Sequence, residues 1–393
     1  MLVPAARAAA VILLADLAAR TRRAKPELVE GVDASAVAAV IRRCGGEQGF
    51  WPTPWLGGFL GGHLQTIWYG LKLDEPPLGN VVEETWQAPD GGTIGLAWPE
   101  GVPVRPLPTS APVVLILPGL CGSIQGTGHS VNAMLSSGCR PVVLHARGCG
   151  QPLTSPCFNL FGNTDDVRSA LKRIASTWPG APIGLYGISA GTALLVRYLG
   201  EEGGALLADS TPRVVAGVAN CPGYDIGVCL TRCGWLYDGG FYIRVLKRHW
   251  LEGENGRVLR AHDAEACRRM AAAPDMHSFM IEASPFSSPS TASGQIVADA
   301  FADFLARSNP MGVAHRIEVP IVILNADDDP VCARRNTDES AGSLVRGMRR
   351  AVLLRLPAGG HCTFAEGLSA RRWGDALAAN FLREVGSGER VRR

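Results

Sequence analysis

The sequence predicts an α/β fold in which a mostly parallel sheet is covered by helices on both faces. Three observations lead to this prediction. After residue 80, short apolar runs recur between Gly- and Pro-rich turns, segments of helical periodicity alternate with them, and no internal repeat interrupts the alternation. A strand that is buried on both faces of a parallel sheet consists of a continuous run of apolar residues, and the short runs of this sequence have that character.

The predicted strands are short, and Asp90-Gly91-Gly92 marks a hairpin between the first two. A helix is predicted from Asp165, because polar and acidic residues open it and apolar residues then recur on one face. Another is predicted around Trp373, Leu377 and Phe381. The strands, in chain order, are Val81–Gln87, Thr93–Trp98, Val113–Leu117, Pro141–His145, Ile183–Tyr186, Val214–Ala219, Ile321–Leu324 and Ala351–Leu356.

A segment of about a hundred residues separates the strands that end at Ala219 and begin at Ile321. That length exceeds a plain crossover, and much of the segment has helical spacing. We therefore expect one α/β domain over residues 46–393, with a largely helical cap inserted at about 225–312. Residues 1–45 are expected to form a separate N-terminal helical or targeting segment.

Composition excludes several classes of protein. The 393 residues carry 38 Lys and Arg against 36 Asp and Glu, a net charge of +2, which argues against nucleic-acid binding. Hydrophobic residues make up 47% and charged residues 19%, so the chain is not disordered. The 11 cysteines show no zinc-binding spacing and are expected to be reduced thiols of an intracellular protein.

The N-terminus combines a short apolar run, residues 8–15, with five basic residues and one acid within residues 1–25, a net charge of +4. Eight apolar residues are too few to span a bilayer, which requires about 20. An interfacial helix, a decayed membrane anchor, a targeting segment and a plain capping helix all remain open. We expect peripheral membrane contact through residues 1–25 or through the cap.

The most specific signal is Gly187-Ile188-Ser189-Ala190-Gly191. It follows an apolar strand and precedes a run suited to a helix, which is the context of a nucleophile elbow. Such a turn holds the serine oxygen exposed at the edge of a sheet. Ser189 is therefore the candidate nucleophile.

A serine nucleophile requires a base and an orienting acid, in the chain order serine, acid, histidine. Asp329 lies in the acidic cluster after the strand at Ile321–Leu324, and His361 lies in a glycine-rich loop after the next strand. His361 is expected to accept the proton of Ser189, and Asp329 to orient His361. Asp328 remains an alternative acid.

An oxyanion would need two backbone N–H donors. One is expected from Ala190, directly after the nucleophile. The other is expected from Leu120, in the loop Pro118–Gly122 that follows the strand at Val113–Leu117.

Several strings resemble one known family, the AB hydrolase 4 group of the α/β-hydrolases, over residues 50–385. They are Pro54-Trp55-Leu56, Gly62-His63-Leu64-Gln65-Thr66-Ile67, Leu117-Pro118-Gly119-Leu120, Arg147-Gly148-Cys149-Gly150, Pro152-Leu153-Thr154, Gly187-Ile188-Ser189, Tyr198–Gly203, Leu324-Asn325-Ala326, Asp328-Asp329-Pro330 and Gly359-Gly360-His361. The resemblance implies an α/β-hydrolase fold, ester chemistry on lipids, and Asp329 as the acid. Animal members carry an N-terminal membrane anchor.

The sequence departs from the family at the elbow, which reads Ile188-Ser189-Ala190-Gly191 instead of Phe-Ser-Leu-Gly, and in its divergent cap. We expect a serine hydrolase of carboxylic esters with lipid acyl groups as substrates. No metal or organic cofactor is implied. Two alternatives stay open: an ester-forming acyltransferase that uses the same three residues, and a non-catalytic ligand-binding protein on a hydrolase scaffold.

Overall fold

The structure, a computed structural model, describes residues 16, 18, 21–101, 107–207, 212–287 and 297–388. Within these residues, nine strands form one sheet in the order β1-β9-β8-β7-β6-β4-β5-β3-β2. The strands are β1 (Glu27–Glu30), β2 (Val81–Gln87), β3 (Thr93–Pro99), β4 (Val113–Leu117), β5 (Arg140–His145), β6 (Ile183–Ile188), β7 (Val214–Asn220), β8 (Ile321–Ala326) and β9 (Ala351–Leu356).

The six central strands, β4 to β9, pair in parallel. The outer strands β1, β2 and β3 pair antiparallel with their neighbours. Every residue of β4, β6 and β8 is buried, because helices cover the sheet on both sides and leave no polar face. The predicted fold class is confirmed.

Helices cover both faces of the sheet, and further helices form a cap. They are α1 (Ser35–Arg43), α2 (Gly61–Gly70), α3 (Gly128–Ser136), α4 (Asp165–Thr177), α5 (Gly191–Glu202), α6 (Ile226–Arg232), α7 (Ile243–Leu251), α8 (Gly253–His262), α9 (Ala264–Ala272), α10 (Met276–Ala283), α11 (Val297–Ser308), α12 (Gly342–Gly347) and α13 (Trp373–Gly386). The apolar sides of α1, α3 and α13 share one core, and those of α4, α5 and α12 share a second. A two-residue hairpin, β10 (Ala365–Glu366) and β11 (Arg371–Arg372), follows β9.

The cap consists of helices α6 to α11, inserted between β7 and β8. It has its own apolar core, in which Trp250 and Phe279 are fully buried. Asp225 and Asp275 accept hydrogen bonds from backbone N–H groups at the starts of α6 and α10, which satisfies donors that a helix start leaves free. These elements occupy the region in which the sequence predicts an insertion.

Residues 27–43 belong to the sheet domain. β1 adds an edge strand beside β9, and α1 packs Val37 and Ile41 against α13. The expected boundary at residue 45 therefore does not separate an independent N-terminal segment. The apolar run at residues 8–15 lies outside the described residues. Among those that are described, no helix has the length and apolarity needed to cross a bilayer.

Candidate active site

Ser189 lies on a sharp turn between β6 and α5. Its φ of +51° is in the left-handed region, which costs energy for a residue with a side chain. The glycines on either side make the turn feasible: a Cβ on Gly187 would lie 2.8 Å from the Gly191 carbonyl oxygen, and one on Gly191 would lie 2.0 Å from that of Leu117. The Ser189 N–H donates to the Asn220 carbonyl oxygen at 2.9 Å, which ties the turn to β7.

The structure brings Ser189, His361 and Asp329 into one hydrogen-bonded line. The distance from Ser189 Oγ to His361 Nε2 is 2.7 Å, and that from His361 Nδ1 to Asp329 Oδ2 is 2.9 Å. The three residues follow β6, β9 and β8, whose carboxyl ends meet at one edge of the parallel sheet. This is the spatial arrangement of a nucleophile, a base and an orienting acid.

The Asp329 carboxylate is fixed by its own turn. Its Oδ1 accepts hydrogen bonds from the Val331 and Cys332 N–H groups at 2.8 and 2.9 Å, so Oδ2 is left to face His361. Burial opposes an imidazolium at His361, but the adjacent Asp329 carboxylate outweighs this effect and holds the pKa of His361 well above its ordinary value. A carboxylate in this position stabilises the imidazolium that forms when the His361 ring accepts a proton.

The two acids before Asp329 have other partners. Asp327 forms an ion pair with Arg355 at 2.6 Å. Asp328 Oδ1 accepts the Gly360 N–H at 2.9 Å, and burial raises the pKa of Asp328 to about 6. Asp329, and neither neighbour, contacts His361.

Leu120 and Ala190 line the same cavity as Ser189. The loop that carries Leu120 lies against the elbow, since a Cβ on Gly119 would be 3.4 Å from that of Ser189. Cys121 follows in the left-handed region, with φ of +54°. Neither the Leu120 nor the Ala190 N–H donates to another group in the part of the chain that the structure describes, so both remain available to a bound oxyanion.

A largely apolar cavity extends from Ser189 between the sheet domain and the cap. Its walls combine cap residues with residues of α5, β7, β8 and the segment before β8. Among the residues that line it are Leu120, Ala193, Val196, Ile226, Leu230, Tyr242, Met276, Met311, Ala314, Ile323, Leu344 and Met348. Such a wall favours an apolar group attached to the carbonyl that Ser189 would attack.

The family string Gly62–Ile67 holds the loops that carry Asp329 and His361. A Cβ on Gly62 would lie 1.9 Å from the Asp328 carbonyl oxygen, and Thr66 Oγ1 accepts the His361 N–H at 2.9 Å. Gln65 Oε1 accepts the Ala365 N–H at 2.9 Å. The resemblance identifies this string as typical of the family, but the sequence does not predict its role, because the partners of Gln65 and Thr66 lie about 300 residues further along the chain.

Two polar residues of the family strings, His63 and Arg147, have partners outside the Ser189–His361–Asp329 line. His63 Nδ1 is 2.9 Å from the Tyr237 hydroxyl, which joins α2 to the cap. Arg147 forms buried ion pairs with Asp166 and Asp90, so Asp166 supports a loop as well as opening α4. These contacts join separate segments of the chain.

Sequence reasoning missed a polar network behind the elbow. Asp375 Oδ1 accepts hydrogen bonds from the Tyr186 hydroxyl at 2.5 Å and the Ser130 hydroxyl at 3.1 Å. The Tyr186 oxygen accepts the Asn220 side-chain amide at 2.9 Å, and the Asn220 backbone holds Ser189. Tyr186 directly precedes Gly187 of the elbow, but its position does not predict the network, because Asp375 lies 189 residues further along the chain.

Two clusters of described residues have metal-ligand chemistry, Cys221-His361-Cys362 and Asp329-Cys332-His361. Both depend on His361, and its two ring nitrogens already contact Ser189 and Asp329. The geometry therefore favours the hydrogen-bonded line over metal ligation.

The fold and this arrangement of serine, histidine and aspartate define the class of α/β-hydrolases. The chain belongs to the hydrolase family described as serine aminopeptidase, S33, whose model matches residues 108–367. The resemblance noted in the sequence is thus confirmed at the level of the α/β-hydrolase family.

Three relatives illustrate the match. The chain is 28% identical to human protein ABHD15 over 325 residues, which cover 80% of this chain and 64% of that protein. It is 31% identical to mouse phospholipase ABHD3 over 159 residues, 39% of this chain and 38% of that protein. It is 29% identical to the putative esterase YheT of Escherichia coli K12 over 289 residues, 70% of this chain and 76% of that protein. The chain therefore spans less than two thirds of the length of ABHD15 and of ABHD3.

Proposed function

We propose that this α/β-hydrolase cleaves carboxylic esters, with lipid acyl esters as its substrates. The observation that carries the proposal is the hydrogen-bonded line from Ser189 Oγ through the His361 ring to Asp329, with distances of 2.7 and 2.9 Å. It supplies a nucleophile, a base within hydrogen-bonding reach and a group that orients the base.

In the proposed reaction, His361 Nε2 takes the Ser189 proton as Oγ bonds to the ester carbonyl carbon. The carbonyl oxygen becomes an oxyanion, held by the N–H groups of Leu120 and Ala190. Collapse breaks the bond to the alcohol oxygen, which leaves with the proton from His361. Water then gives a proton to His361 as its oxygen bonds to the carbonyl carbon of the acyl-enzyme. The bond between that carbon and Oγ breaks, and His361 returns the proton to Oγ as the acid leaves. Throughout, the Asp329 carboxylate stabilises the imidazolium without accepting its proton.

The apolar cavity supports lipid acyl esters as the substrate class. A cavity wall of Met311, Ile323, Leu344 and Met348 offers an alkyl chain burial worth roughly 0.8 kcal/mol per methylene. The relatives point the same way, since one is a phospholipase and another a putative esterase. We therefore expect long acyl groups to be preferred over acetyl.

Labelling with a fluorophosphonate probe tests the nucleophile. Wild type should be labelled and Ser189→Ala should not, while Ser136→Ala, an exposed serine of α3, should be labelled like wild type. Labelling that persists in Ser189→Ala would refute the proposed nucleophile. Hydrolysis of p-nitrophenyl esters from acetate to palmitate then measures the acyl preference, and product analysis with ethanol present detects any transfer to an alcohol.

A further inference from the structure

A group of large apolar side chains is exposed beside the cavity. Phe59 and Leu60 are 64% and 63% exposed, and Trp235 of the cap is 82% exposed. Ile67 and Leu71 continue from Leu60 along one side of α2, at the spacing of a helical face. We call this group the apolar face; it comprises Trp51, Trp55, Phe59, Leu60, Ile67, Leu71, Trp235, Leu236 and Leu368.

The members of the apolar face come from three segments that contact each other. The Gly367 N–H donates to the Trp51 carbonyl oxygen at 2.9 Å, which joins the hairpin tip bearing Leu368 to the segment before α2. The hydrogen bond between His63 and Tyr237 joins α2 to the turn that bears Trp235. The face therefore draws its members from both the sheet domain and the cap, in segments that are held together by hydrogen bonds.

The apolar face lies on the side of the molecule that carries Ser189. The N-terminal end of α2 contacts the acid loop through Gly62 and the base loop through Thr66. A surface that covers the apolar face therefore also comes close to the carboxyl edge of the sheet, where the cavity begins.

Positive charge borders the apolar face at its tryptophan end. The Arg23 guanidinium lies 5.8 Å from the centre of the Trp51 ring, and Arg22 and Lys25 flank it as exposed cations. Backbone hydrogen bonds between Ala24 and Phe50, at 2.8 and 3.1 Å, hold these cations beside the face. Exposed tryptophans next to cations match the interfacial layer of an anionic bilayer.

We propose that the apolar face docks on an anionic phospholipid bilayer, with its aromatic and aliphatic side chains among the acyl chains and Arg22, Arg23 and Lys25 at the headgroups. Substrates that reside in a bilayer would then reach the cavity without crossing water. The proposal goes beyond the reaction, and vesicle binding is measured without turnover. Failure to bind and failure to hydrolyse are therefore separate results.

Sedimentation with vesicles of phosphatidylcholine and phosphatidylserine tests the docking of the full chain. The combined variant Phe59→Ser, Leu60→Ser and Trp235→Ser should bind at least about tenfold more weakly than wild type, because it removes three large apolar groups from the contact. The matched control, Val32→Ser with Leu207→Ser, alters exposed apolar residues at the opposite edge of the sheet and should bind like wild type. Equal binding by the two variants would overturn the proposal.

The cations give a second measurement. Arg22→Gln with Lys25→Gln should weaken binding to vesicles that contain phosphatidylserine, and about 0.5 M salt should reproduce the loss in wild type. Sedimentation equilibrium in the absence of lipid tests the rival occupant of the face. A wild-type dimer that the combined apolar variant dissociates would assign the face to a second copy of the chain and overturn the lipid assignment.

Discussion

Asp328 Oδ1 accepts the backbone N–H of Gly360 at 2.9 Å, so the residue before Asp329 is bound to the residue before His361. The loop after β8 and the loop after β9 are thus joined by two neighbouring contacts. One is the hydrogen bond from the Gly360 N–H to the Asp328 carboxylate, and the other is the hydrogen bond between the His361 imidazole and the Asp329 carboxylate. Two adjacent carboxylates therefore have separate roles, one that fixes a loop and one that faces the imidazole.

This division predicts opposite sensitivities for the two acids. Asp329→Asn should lower kcat by about 10⁴-fold with the fold retained, because an amide cannot stabilise the imidazolium or hold its tautomer. Asp328→Asn should stay within a few-fold of wild type, because its amide oxygen still accepts the Gly360 N–H. Steady-state hydrolysis of a soluble ester measures both. The reverse ranking would make Asp328 the orienting acid.

The pH dependence of kcat/KM should report the Asp329 carboxylate. His361 must be neutral to accept the serine proton, and its pKa is raised well above 6.5 chiefly by Asp329, against the effect of burial. Activity should therefore rise with pH through a midpoint above 6.5. The midpoint of residual activity in Asp329→Asn should move down, while Asp165→Asn, an exposed acid of α4, should leave it in place. A wild-type midpoint below 6.5 would contradict this reading.

Stability should reveal the cost of a charged Asp328. Burial raises its pKa from 3.8 to about 6 in the folded state, so the ionised form is disfavoured on folding. That cost is absent below about pH 3.8, grows as pH rises and is complete above about pH 6. Asp328→Asn should therefore raise the free energy of unfolding at pH 8 by on the order of 2 kcal/mol. The gain should vanish near pH 4, as measured by urea unfolding; a gain independent of pH would refute the electrostatic cause.

Thr66 should act as a positioning residue for the base. Thr66→Val removes the oxygen that accepts the His361 N–H and leaves a buried donor unpaired, at about 1 to 3 kcal/mol. We expect kcat to fall about tenfold with little change in KM. Thr66→Ser keeps the oxygen and should restore kcat, which separates the hydrogen bond from packing. A serine variant as impaired as the valine variant would assign the effect to the lost methyl group.

The cavity should limit acyl length. Met311 lines it from the segment before β8, and Met311→Trp would occupy space that an acyl chain would use. Activity on p-nitrophenyl decanoate should fall at least about tenfold while acetate hydrolysis changes little, because only the long chain reaches that wall. Met311→Leu conserves volume and should resemble wild type. Equal losses on both esters would show that Met311 does not contact the acyl chain.

Local patterns in the sequence predict most of the sheet. The bounds of Val81–Gln87, Val113–Leu117 and Ala351–Leu356 match the structure, since each run is apolar or alternating and ends at a turn signal. The strand at Ile183 extends two residues beyond its predicted end, because Gly187 interrupts the apolar run. β1 was not predicted: its four residues begin and end with glutamate, and only pairing with β9, over 300 residues away, defines it as a strand.

Local sequence patterns also predict only part of the candidate active site. Chain order and turn chemistry are enough to predict Ser189, His361 and the acid cluster, and the structure brings all three together. The contributions of Thr66 and Asp375 depend on contacts with residues far away in sequence, and no local pattern encodes those contacts. The sequence likewise does not predict the exposure of Trp235, because the cap contains both exposed and buried tryptophans, Trp235 and Trp250, and no local pattern distinguishes them.

The short edge strand β1 has a consequence for self-assembly. It covers the outer side of β9, where Val352, Leu353 and Leu354 would otherwise offer an apolar strand with unpaired backbone groups. Its own outer side is only four residues long and carries carboxylates at both ends, Glu27 and Glu30, which would repel the same strand of another copy. A chain shortened to begin at Val32 would lose this protection and expose β9 as a template for aggregation. Any removal of the N-terminus should therefore stop before Glu27.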